Sequence, residues 1–331
     1  MVKIKDVAKA AGVSTATVSR ALANKPNVRA EVKQHVLNVA EKLNYQPNRA
    51  AQSLRSNTSK IIALIVADIE NPFFQRVSRA VDDAAQEMGY NVMLCNTDED
   101  PEKEKQCLNL LRVENIAGVI LSPTRKGIEN FAETYSTKIP TVMIDRQVGN
   151  YEVDNVLVDN TLSAYTIVNH LIEHGKQRIA GIFGANSTTG RERRDGFVKA
   201  LQDNAITPSQ ELIKYAKPRE EDGYNTAMKL LQLPNRPDAI FTSSSLLAAG
   251  VLLAIRKNKL TIPDDIAFVS FDDTRWAKLV EPALTVIEQP TYEIGRTAAE
   301  LLIKRINDPS RSHREVVLKT KLIVRQSCGC S

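Results

Sequence analysis

Short β-rich runs alternate with helix-length segments through most of the sequence after about residue 60, and this alternation restricts the fold more than any other feature. The runs of the first half are IIALIVAD, YNVMLCNTD, AGVILSP and PTVMID. After about residue 160 the pattern repeats with RIAGIFGA, LIKYA, AIFTSS and AFVSFDD. Such alternation predicts parallel sheets covered by helices on both faces. The two series predict two similar α/β lobes with a cleft between them, and residues just after the strands become candidates for ligand binding.

The first 44 residues carry only helix patterns. The segment IKDVAKAAG has helical apolar spacing, and Gly12 predicts the end of that helix. Ser14 suits the N-cap of a second helix that begins near Thr15. An apolar series from Val32 to Leu43 predicts a third, longer helix. The tight turn between the first two helices is typical of a helix-turn-helix, whose second helix enters the major groove of DNA.

The positive charge of the chain is concentrated at its N-terminus. Residues 1–60 contain eleven Lys and Arg and three acidic residues, a net charge of +8, whereas the remaining 271 residues carry −3. A basic head on a slightly acidic body is typical of a protein that binds nucleic acid. On charge alone, a solvated basic face is the alternative.

The segment VSTATVSRAL has side chains suited to contact with DNA. Thr15, Ala16 and Thr17 are short enough to let a helix approach the base edges, and Ser19 can bind a phosphate. Arg20 has the reach and the forked donors for guanine O6 and N7. A helical hairpin core explains the apolar residues of this segment but not its hydroxyl groups.

Two long segments near the N-terminus are IKDVAKAAGVSTATVSRALANKPNV and YQPNRAAQSLRS, and shorter ones follow in the order DIENPFF, GVILSP, PTVMIDR, GRERRDGF, FVSFDD, PALTVIEQP and LIVRQS. In these segments and their order, the sequence resembles the lactose-repressor/galactose-repressor family of bacterial transcription regulators. This resemblance implies an α/β protein in which a three-helix helix-turn-helix head and a hinge helix precede a two-lobed, parallel-sheet effector domain like a periplasmic binding protein. The expected limits are 1–45 for the head, 46–58 for the hinge and 59–331 for the effector-binding and dimerisation domain.

The resemblance implies which residues contact DNA. Thr15, Ala16 and Arg20 occupy the base-reading positions of the recognition helix. Leu54 matches a hinge leucine that wedges into the minor groove at the operator centre, and Arg55 matches the neighbouring cation. An apolar wedge of this kind partly unstacks a base step and kinks the duplex.

Arg29 departs from the family pattern, since relatives more often carry a helix-capping serine at its position. We expect an added phosphate contact there and a weaker helix cap. The complete predicted DNA-binding set is Ser14, Thr15, Ala16, Thr17, Ser19, Arg20, Arg29, Leu54 and Arg55.

The resemblance also implies a small-molecule effector bound between the lobes. Phe73 and Phe74 are expected to wall the cleft, Asp145 and Arg146 follow a strand of the first lobe, and Arg193 grips the effector from the second. The remaining predicted effector-binding residues are Arg191, Ser245 and Asp272.

Some of these assignments have structural alternatives. Phe73 and Phe74 also fit an ordinary core at helical spacing, and Asp272 also fits a helix N-cap. Ser244 and Ser245 stand where many relatives carry Asn-Asp, which weakens the residue-by-residue transfer.

Clustered arginines bear on the charge of the effector. Arg191, Arg193 and Arg194 crowd the segment GRERR, and Arg146 is expected to face them across the cleft. Four cations predict an anionic effector such as a sugar acid or sugar phosphate. A neutral sugar is the alternative if Arg191 and Arg194 point into solvent. The sequence does not place Trp276 inside or outside the cleft.

Three classes of function compete for this chain: a ligand-responsive DNA-binding regulator, a sugar-binding receptor and a nucleotide-dependent enzyme. A receptor of the periplasmic kind needs a signal segment, but charged residues interrupt MVKIKDVAKA. No G-x-G-x-x-G follows a predicted strand, and neither a phosphate-binding loop nor a G-x-S-x-G elbow occurs. We therefore expect a regulator, with repression as its mode, and neither an enzyme nor a cofactor.

The expected partners are double-stranded operator DNA, a sugar-like effector and a second copy of the chain in a homodimer. The sequence contains no run of about 20 apolar residues that would span a bilayer, so we expect no membrane partner and a cytoplasmic protein.

Two short patterns contain residue types that bind metals. HLIEH, residues 170–174, matches the H-x-x-E-H pattern of inverted zinc peptidases, but a solvated helix end before Gly175 explains it more simply. Cys328 and Cys330 lack the spacing of common zinc motifs. We therefore expect a frayed, reduced tail and no metal.

Overall fold

The computed structural model describes residues 2–22, 27–45, 59–129, 139–146, 152–185 and 187–330. The chain divides into two units, Met1–Ser59 and Lys60–Ser331, each with its own hydrophobic core. In the part of the chain described, no helix is long and apolar enough to cross a membrane. The predicted hinge helix lies outside the described residues.

The N-terminal unit contains the three predicted helices. They are α1 (Ile4–Ala10), α2 (Thr15–Leu22) and α3 (Ala30–Lys42). Val7, Val18 and Val36, one from each helix, are fully buried together. Between α1 and α2, Gly12 adopts φ +63°, which only glycine adopts without strain, so the tight turn depends on it.

The second unit is built from strands and helices that alternate along the chain. Its strands are β1 (Ile61–Val66), β2 (Asn91–Asn96), β3 (Gly118–Leu121), β4 (Thr141–Ile144), β5 (Asp154–Val158), β6 (Ile179–Gly184), β7 (Ile213–Ala216), β8 (Ala239–Thr242), β9 (Ala267–Phe271), β10 (Thr285–Glu288), β11 (Glu315–Leu318) and β12 (Lys321–Ile323). Its α-helices are α4 (Pro72–Glu87), α5 (Pro101–Val113), α6 (Arg125–Glu129), α7 (Asn160–Glu173), α8 (Thr188–Asp203), α9 (Glu220–Leu231), α10 (Ser245–Lys257) and α11 (Thr291–Asn307). Two 3₁₀ turns cover Trp276–Lys278 and Gln326–Cys328.

The strands form two six-stranded sheets, one in each lobe. The first lobe has the order β11-β5-β4-β3-β1-β2, and all its pairs are parallel. The second has the equivalent order β12-β10-β9-β8-β6-β7. Its pairs are parallel except that β12 runs antiparallel to β10. The predicted fold class, two parallel-sheet lobes after a helical head, is confirmed.

The chain passes between the lobes three times, after β5, after β10 and after β11. As a result, α11 and β11 complete the first lobe although they follow most of the second lobe in sequence. Leu302 of α11 is fully buried in the core of the first lobe, where the missing side chain of Gly118 makes room for it.

Glycines let helices of the second lobe pack backbone to backbone. A Cβ atom on Gly196 of α8 would lie 2.1 Å from the carbonyl oxygen of Thr161 in α7. One on Gly250 of α10 would lie 2.0 Å from the carbonyl oxygen of Glu220 in α9. Both distances are far below van der Waals contact, so any larger residue at either position would push the helices apart.

The C-terminal tail is anchored, and the expectation that it frays is wrong. The Ser327 hydroxyl donates to the carbonyl of Phe268 (2.6 Å) and accepts the backbone N–H of Thr285 (2.8 Å). Cys328 is fully buried in the core of the second lobe. These contacts fix the tail against β9 and β10.

Candidate DNA-binding face and effector cleft

Ser14 caps α2 as the sequence predicts. Its Oγ accepts the backbone N–H of Thr17 at 3.1 Å, and the two hydroxyl oxygens lie 2.9 Å apart. The cap satisfies one of the N–H groups that the first turn of a helix leaves unpaired. The Thr17 hydroxyl is therefore partly engaged in the cap.

One face of α2 packs inward and the opposite face is open. Val18 and Ala21 are buried against the other two helices. Thr15, Ala16 and Arg20 are exposed, and Ser19 is half-buried. The open face thus presents short side chains at the start of the helix and one long cation a turn later.

Arg29 is exposed at the N-cap position of α3, and in the described part of the unit its side chain makes no capping hydrogen bond. This geometry agrees with the weaker cap expected from the sequence. Leu54 and Arg55, the predicted hinge contacts, lie outside the described residues.

The two lobes place an aspartate at the same point of their sheets. Asp145 follows β4 with φ +71°, and Asp272 follows β9 with φ +72°. The backbone N–H of Asp145 donates to the carbonyl of Val156, and that of Asp272 to the carbonyl of Ile287, each on the neighbouring strand. Both carboxylates therefore stand at the carboxyl edge of a parallel sheet, where ligands bind in folds of this kind.

In the second lobe, hydrogen bonds hold the Asp272 carboxylate from two sides. Gln289 Nε2 donates to Oδ1 at 2.7 Å, and the backbone N–H of Ser245 donates to Oδ2 at 3.2 Å. Because Ser245 begins α10, Asp272 also supports a helix N-terminus. The carboxylate thus supports the start of a helix and also stands where a ligand would bind.

Several buried polar atoms near this carboxyl edge have no hydrogen-bond partner among the described residues. They are Thr188 Oγ1, Ser245 Oγ, Thr274 Oγ1 and Gln289 Oε1. A buried polar group left unpaired costs about 1–3 kcal/mol, so such groups are normally satisfied. Four of them within one lobe point to a polar ligand or ordered water.

Arg193 reaches the same edge from α8. Its Nε donates to Asn160 Oδ1 at 2.8 Å, its Nη1 donates to the carbonyl of Ser243 at 2.6 Å, and its guanidinium stacks 3.8 Å from the Phe271 ring centre. Burial lowers the pKa of Arg193, and the carboxylates of Asp272, Asp145 and Glu192 oppose that shift. Carboxylates of both lobes, Asp145 of the first and Asp272 of the second, thus act on Arg193.

Arg146 is held by the protein rather than left for a ligand. Its Nη1 donates to Glu99 Oε2 at 2.8 Å and to the carbonyl of Pro123 at 2.7 Å, its Nη2 donates to Glu99 Oε1, and its Nε lies 3.4 Å from Asp145 Oδ2. Burial raises the pKa of the Asp145 carboxyl, while Arg146 and Arg193 act in the opposite direction. Arg146 also acts on the pKa of Arg193, but Glu99 neutralises its charge, so its role in effector binding stays a prediction.

The other two arginines of the predicted cluster lie on the outer side of α8. Arg194 pairs with Asp195 and donates to Tyr215 Oη at 3.3 Å, and Arg191 is exposed. The expected group of four cations does not form. Of the three arginines in GRERR, Arg193 alone is buried.

Phe73 and Phe74 take the core position, one of the two placements that the sequence allows. Phe73 and Phe74 are 6% and 4% exposed in the core of the first lobe, with their rings 5.0 Å apart and edge to face. The core alternative describes them better than a cleft wall. Trp276 is half-buried and packs against the core of the second lobe.

Sequence reasoning missed the polar partners that shape the cleft. Glu99, Asn160, Thr188, Thr274 and Gln289 were not among the predicted residues. Each follows a strand by at most four residues, so a systematic list of polar residues after the predicted strands would have included several of them.

Comparison with known proteins identifies the family. Residues 3–48 match the model for bacterial regulatory proteins of the lacI family, and residues 168–328 match that for a periplasmic binding protein-like domain. The ribose operon repressor of Halalkalibacterium halodurans is 38% identical over 99% of this chain and 97% of its own length. The chain belongs to the lacI family.

Solved structures of transcriptional regulators have the same architecture. The lac repressor dimer bound to operator and the anti-inducer ONPF is 25% identical and superimposes with a TM-score of 0.89 over 99% of both chains. The complex of the transcriptional regulator CelR with cellobiose is 27% identical, with a TM-score of 0.73 over 99% of this chain and 100% of the other. This lacI-family chain is a DNA-binding transcriptional repressor with a periplasmic-binding-like effector domain. The prediction of a regulator rather than an enzyme is confirmed.

Proposed function

We propose that this lacI-family repressor binds a neutral, polyhydroxylated effector, a sugar, between its two lobes. The observation that carries the proposal is the set of four buried and unpartnered polar atoms on Thr188, Ser245, Thr274 and Gln289 within the described residues. Hydroxyl groups both donate and accept hydrogen bonds, so a sugar can satisfy hydroxyl and amide groups together. Asp272 adds a charged acceptor beside them.

The charges at the cleft favour a neutral ligand over an anion. Glu99 neutralises Arg146, and the carboxylates of Asp272 and Asp145 lie near Arg193. An anionic ligand would have to approach at least as many carboxylates as guanidinium groups. These residues therefore do not create the excess of positive charge that attracts sugar acids and sugar phosphates.

The comparisons support the chemical class but not its identity. One relative is named for a ribose operon, and one structural neighbour is a complex with cellobiose. Both names refer to neutral sugars. Binding experiments will identify which neutral sugar the chain binds.

We further propose that two copies of the chain bind a roughly palindromic operator through the exposed face of α2. Arg20 reads guanine, Thr15 and Ala16 allow close approach, and Ser19 and Arg29 contact phosphates. The lac repressor neighbour is a dimer on its operator, which supports this arrangement. Effector binding between the lobes changes operator affinity, with a coupling of about 1–3 kcal/mol typical of such proteins.

A binding screen of the full chain tests the effector. Thermal unfolding and calorimetry are measured with neutral sugars, sugar acids and sugar phosphates. We expect stabilisation by one or more neutral sugars, unchanged affinity in Arg191→Ala, and weaker binding in Arg193→Lys, which keeps the charge but loses the forked geometry. The two variants lie two residues apart on one helix and so form a matched pair. A ligand class confined to anions, with affinity that falls in Arg191→Ala, would overturn the proposal.

A competition assay on DNA tests the recognition helix. Arg20→Ala is expected to lose about 1–3 kcal/mol of preference for operator over unrelated DNA while effector binding persists. Lys42→Ala removes one exposed charge of the same unit outside α2 and should preserve that preference. Equal preference in Arg20→Ala and the unmodified protein would refute the base-reading role.

A further inference from the structure

A cluster of one imidazole and two thiol groups lies away from the cleft, where the C-terminal tail contacts α7. Cys330 Sγ lies 3.1 Å from His170 Nε2, and Cys328 Sγ lies 3.5 Å from the same nitrogen. The three potential ligand atoms all lie within 4.8 Å of one another. They join residues that are about 160 positions apart in sequence.

We propose that His170, Cys328 and Cys330 bind a thiophilic metal ion, with Zn²⁺ as the ion that their geometry fits. Tetrahedral zinc with Zn–S of about 2.3 Å and Zn–N of about 2.05 Å places nitrogen and sulfur about 3.6 Å apart and two sulfurs about 3.8 Å apart. The nitrogen–sulfur distance to Cys328, 3.5 Å, agrees with this value, and the distance to Cys330, 3.1 Å, is about 0.5 Å shorter. Two thiolates and an imidazole form a donor set for zinc, whereas magnesium and calcium prefer oxygen.

The backbone holds the three ligands in place before any ion binds. His170 lies in the last turn of α7, and Ser327 ties the tail to β9 and β10 through two hydrogen bonds. Gly329 then adopts φ +78°, which reverses the chain and returns Cys330 to the side of Cys328. A preformed site of this kind lowers the conformational cost of binding.

The environment of the cluster leaves room for one more ligand. Cys328 is fully buried, but His170 and Cys330 are only partly buried, so solvent can complete a four-coordinate ion. His174, the other histidine of HLIEH, donates from Nδ1 to the carbonyl of His170 at 2.7 Å and lies outside the cluster. Binding replaces the two thiol protons, which leave to solvent.

The ion would connect α7 to the end of the chain within the second lobe. Both elements belong to that lobe, since Cys328 packs in the same core as Leu171 of α7. The proposed site therefore stabilises the lobe and does not bridge the cleft. Its test is independent of the effector and of the operator.

Cobalt titration of the full chain tests the site. The reduced protein is stripped of metal with a chelator and titrated with Co²⁺, whose thiolate charge-transfer absorption reports sulfur ligands. We expect the band to saturate at one equivalent per chain, to disappear when Zn²⁺ is added, and to be lost in Cys330→Ser and in His170→Gln. Zn²⁺ should also raise the unfolding temperature of the unmodified protein.

Cys107→Ser is the matched control, because Cys107 is a partly buried cysteine of the other lobe. It should keep the whole cobalt response. The proposal is overturned if no charge-transfer band appears, if the band survives in both Cys330→Ser and His170→Gln, or if Cys107→Ser removes it. A thiol count that shows Cys328 and Cys330 joined as a disulfide in the reduced preparation would overturn it as well.

Discussion

Replacing Asp272 by Asn exchanges one carboxylate oxygen at the carboxyl edge of the second sheet for an NH₂ group and removes the negative charge. The carboxylate accepts one hydrogen bond on each oxygen, from Gln289 Nε2 at 2.7 Å and from the Ser245 N–H at 3.2 Å. It is 9% exposed and lies close to Arg193. An asparagine side chain has the same shape but only one acceptor oxygen, so one of the two donors would face an NH₂ group.

The expected magnitudes follow from these contacts. One buried donor left unpaired costs about 1–3 kcal/mol of folding stability, and Asp272→Ala, which leaves both unpaired, about twice that. A hydrogen bond from a ligand hydroxyl to a charged acceptor contributes about 1.5–3 kcal/mol. We therefore expect the Kd of the effector to rise about 10- to 150-fold in Asp272→Asn.

Urea unfolding and calorimetry with the effector found in the screen measure the two effects separately. Asp273→Asn is the control, since its carboxylate pairs with Lys278 Nζ at 3.0 Å and Arg325 Nη2 at 2.8 Å rather than with the cleft residues. It should lower stability and leave the Kd unchanged. Unchanged effector affinity in Asp272→Asn, or an equal loss in Asp273→Asn, would refute the role assigned to Asp272.

Three further changes test the local structure. Ser14→Ala removes the cap on Thr17 and should destabilise α2 by about 1 kcal/mol, measured as faster hydrogen exchange of its first-turn amides; unchanged exchange would exclude the cap. Arg29→Ser should stabilise α3 by a similar amount and lower the slope of DNA affinity against salt by about 1, which a salt titration shows directly. Gly250→Ala places a methyl group 2.0 Å from the Glu220 carbonyl oxygen and should lower the free energy of unfolding by at least about 1–3 kcal/mol. An unchanged midpoint of urea unfolding would show that the two helices can separate without loss of stability.

The regular parts of the fold could be predicted because their residues obey simple periodicities. All eight strands expected from apolar runs are present, as are the three helices of the head. The four strands that were missed are β5, β10, β11 and β12. In β5, Asp154 is fully buried and pairs with Arg305 at 3.0 Å, so a polar residue interrupts the apolar pattern. The short strands β11 and β12 lie at sheet edges, have no fully buried residue and carry charged residues.

The candidate sites were harder to predict, because their key contacts join residues that are distant in sequence. Glu99 neutralises Arg146 from 47 positions away, and no local pattern indicates that pairing. Cys330 and His170 belong to two motifs that are weak signals in the sequence. Only the fold shows that their side chains lie 3.1 Å apart. By contrast, the sequence predicts that Ser14 caps a helix and that Asp272 follows a strand, and both positions are observed. A helix cap and the end of a strand are local features.

The threefold passage of the chain between the lobes has a consequence for synthesis on the ribosome. The core of the head uses only residues before position 46, so it can form while the rest of the chain is still being made. Neither sheet is complete until β11 and β12, the last two strands, have emerged. A chain that ends prematurely before them would have a folded head but two unfinished lobes.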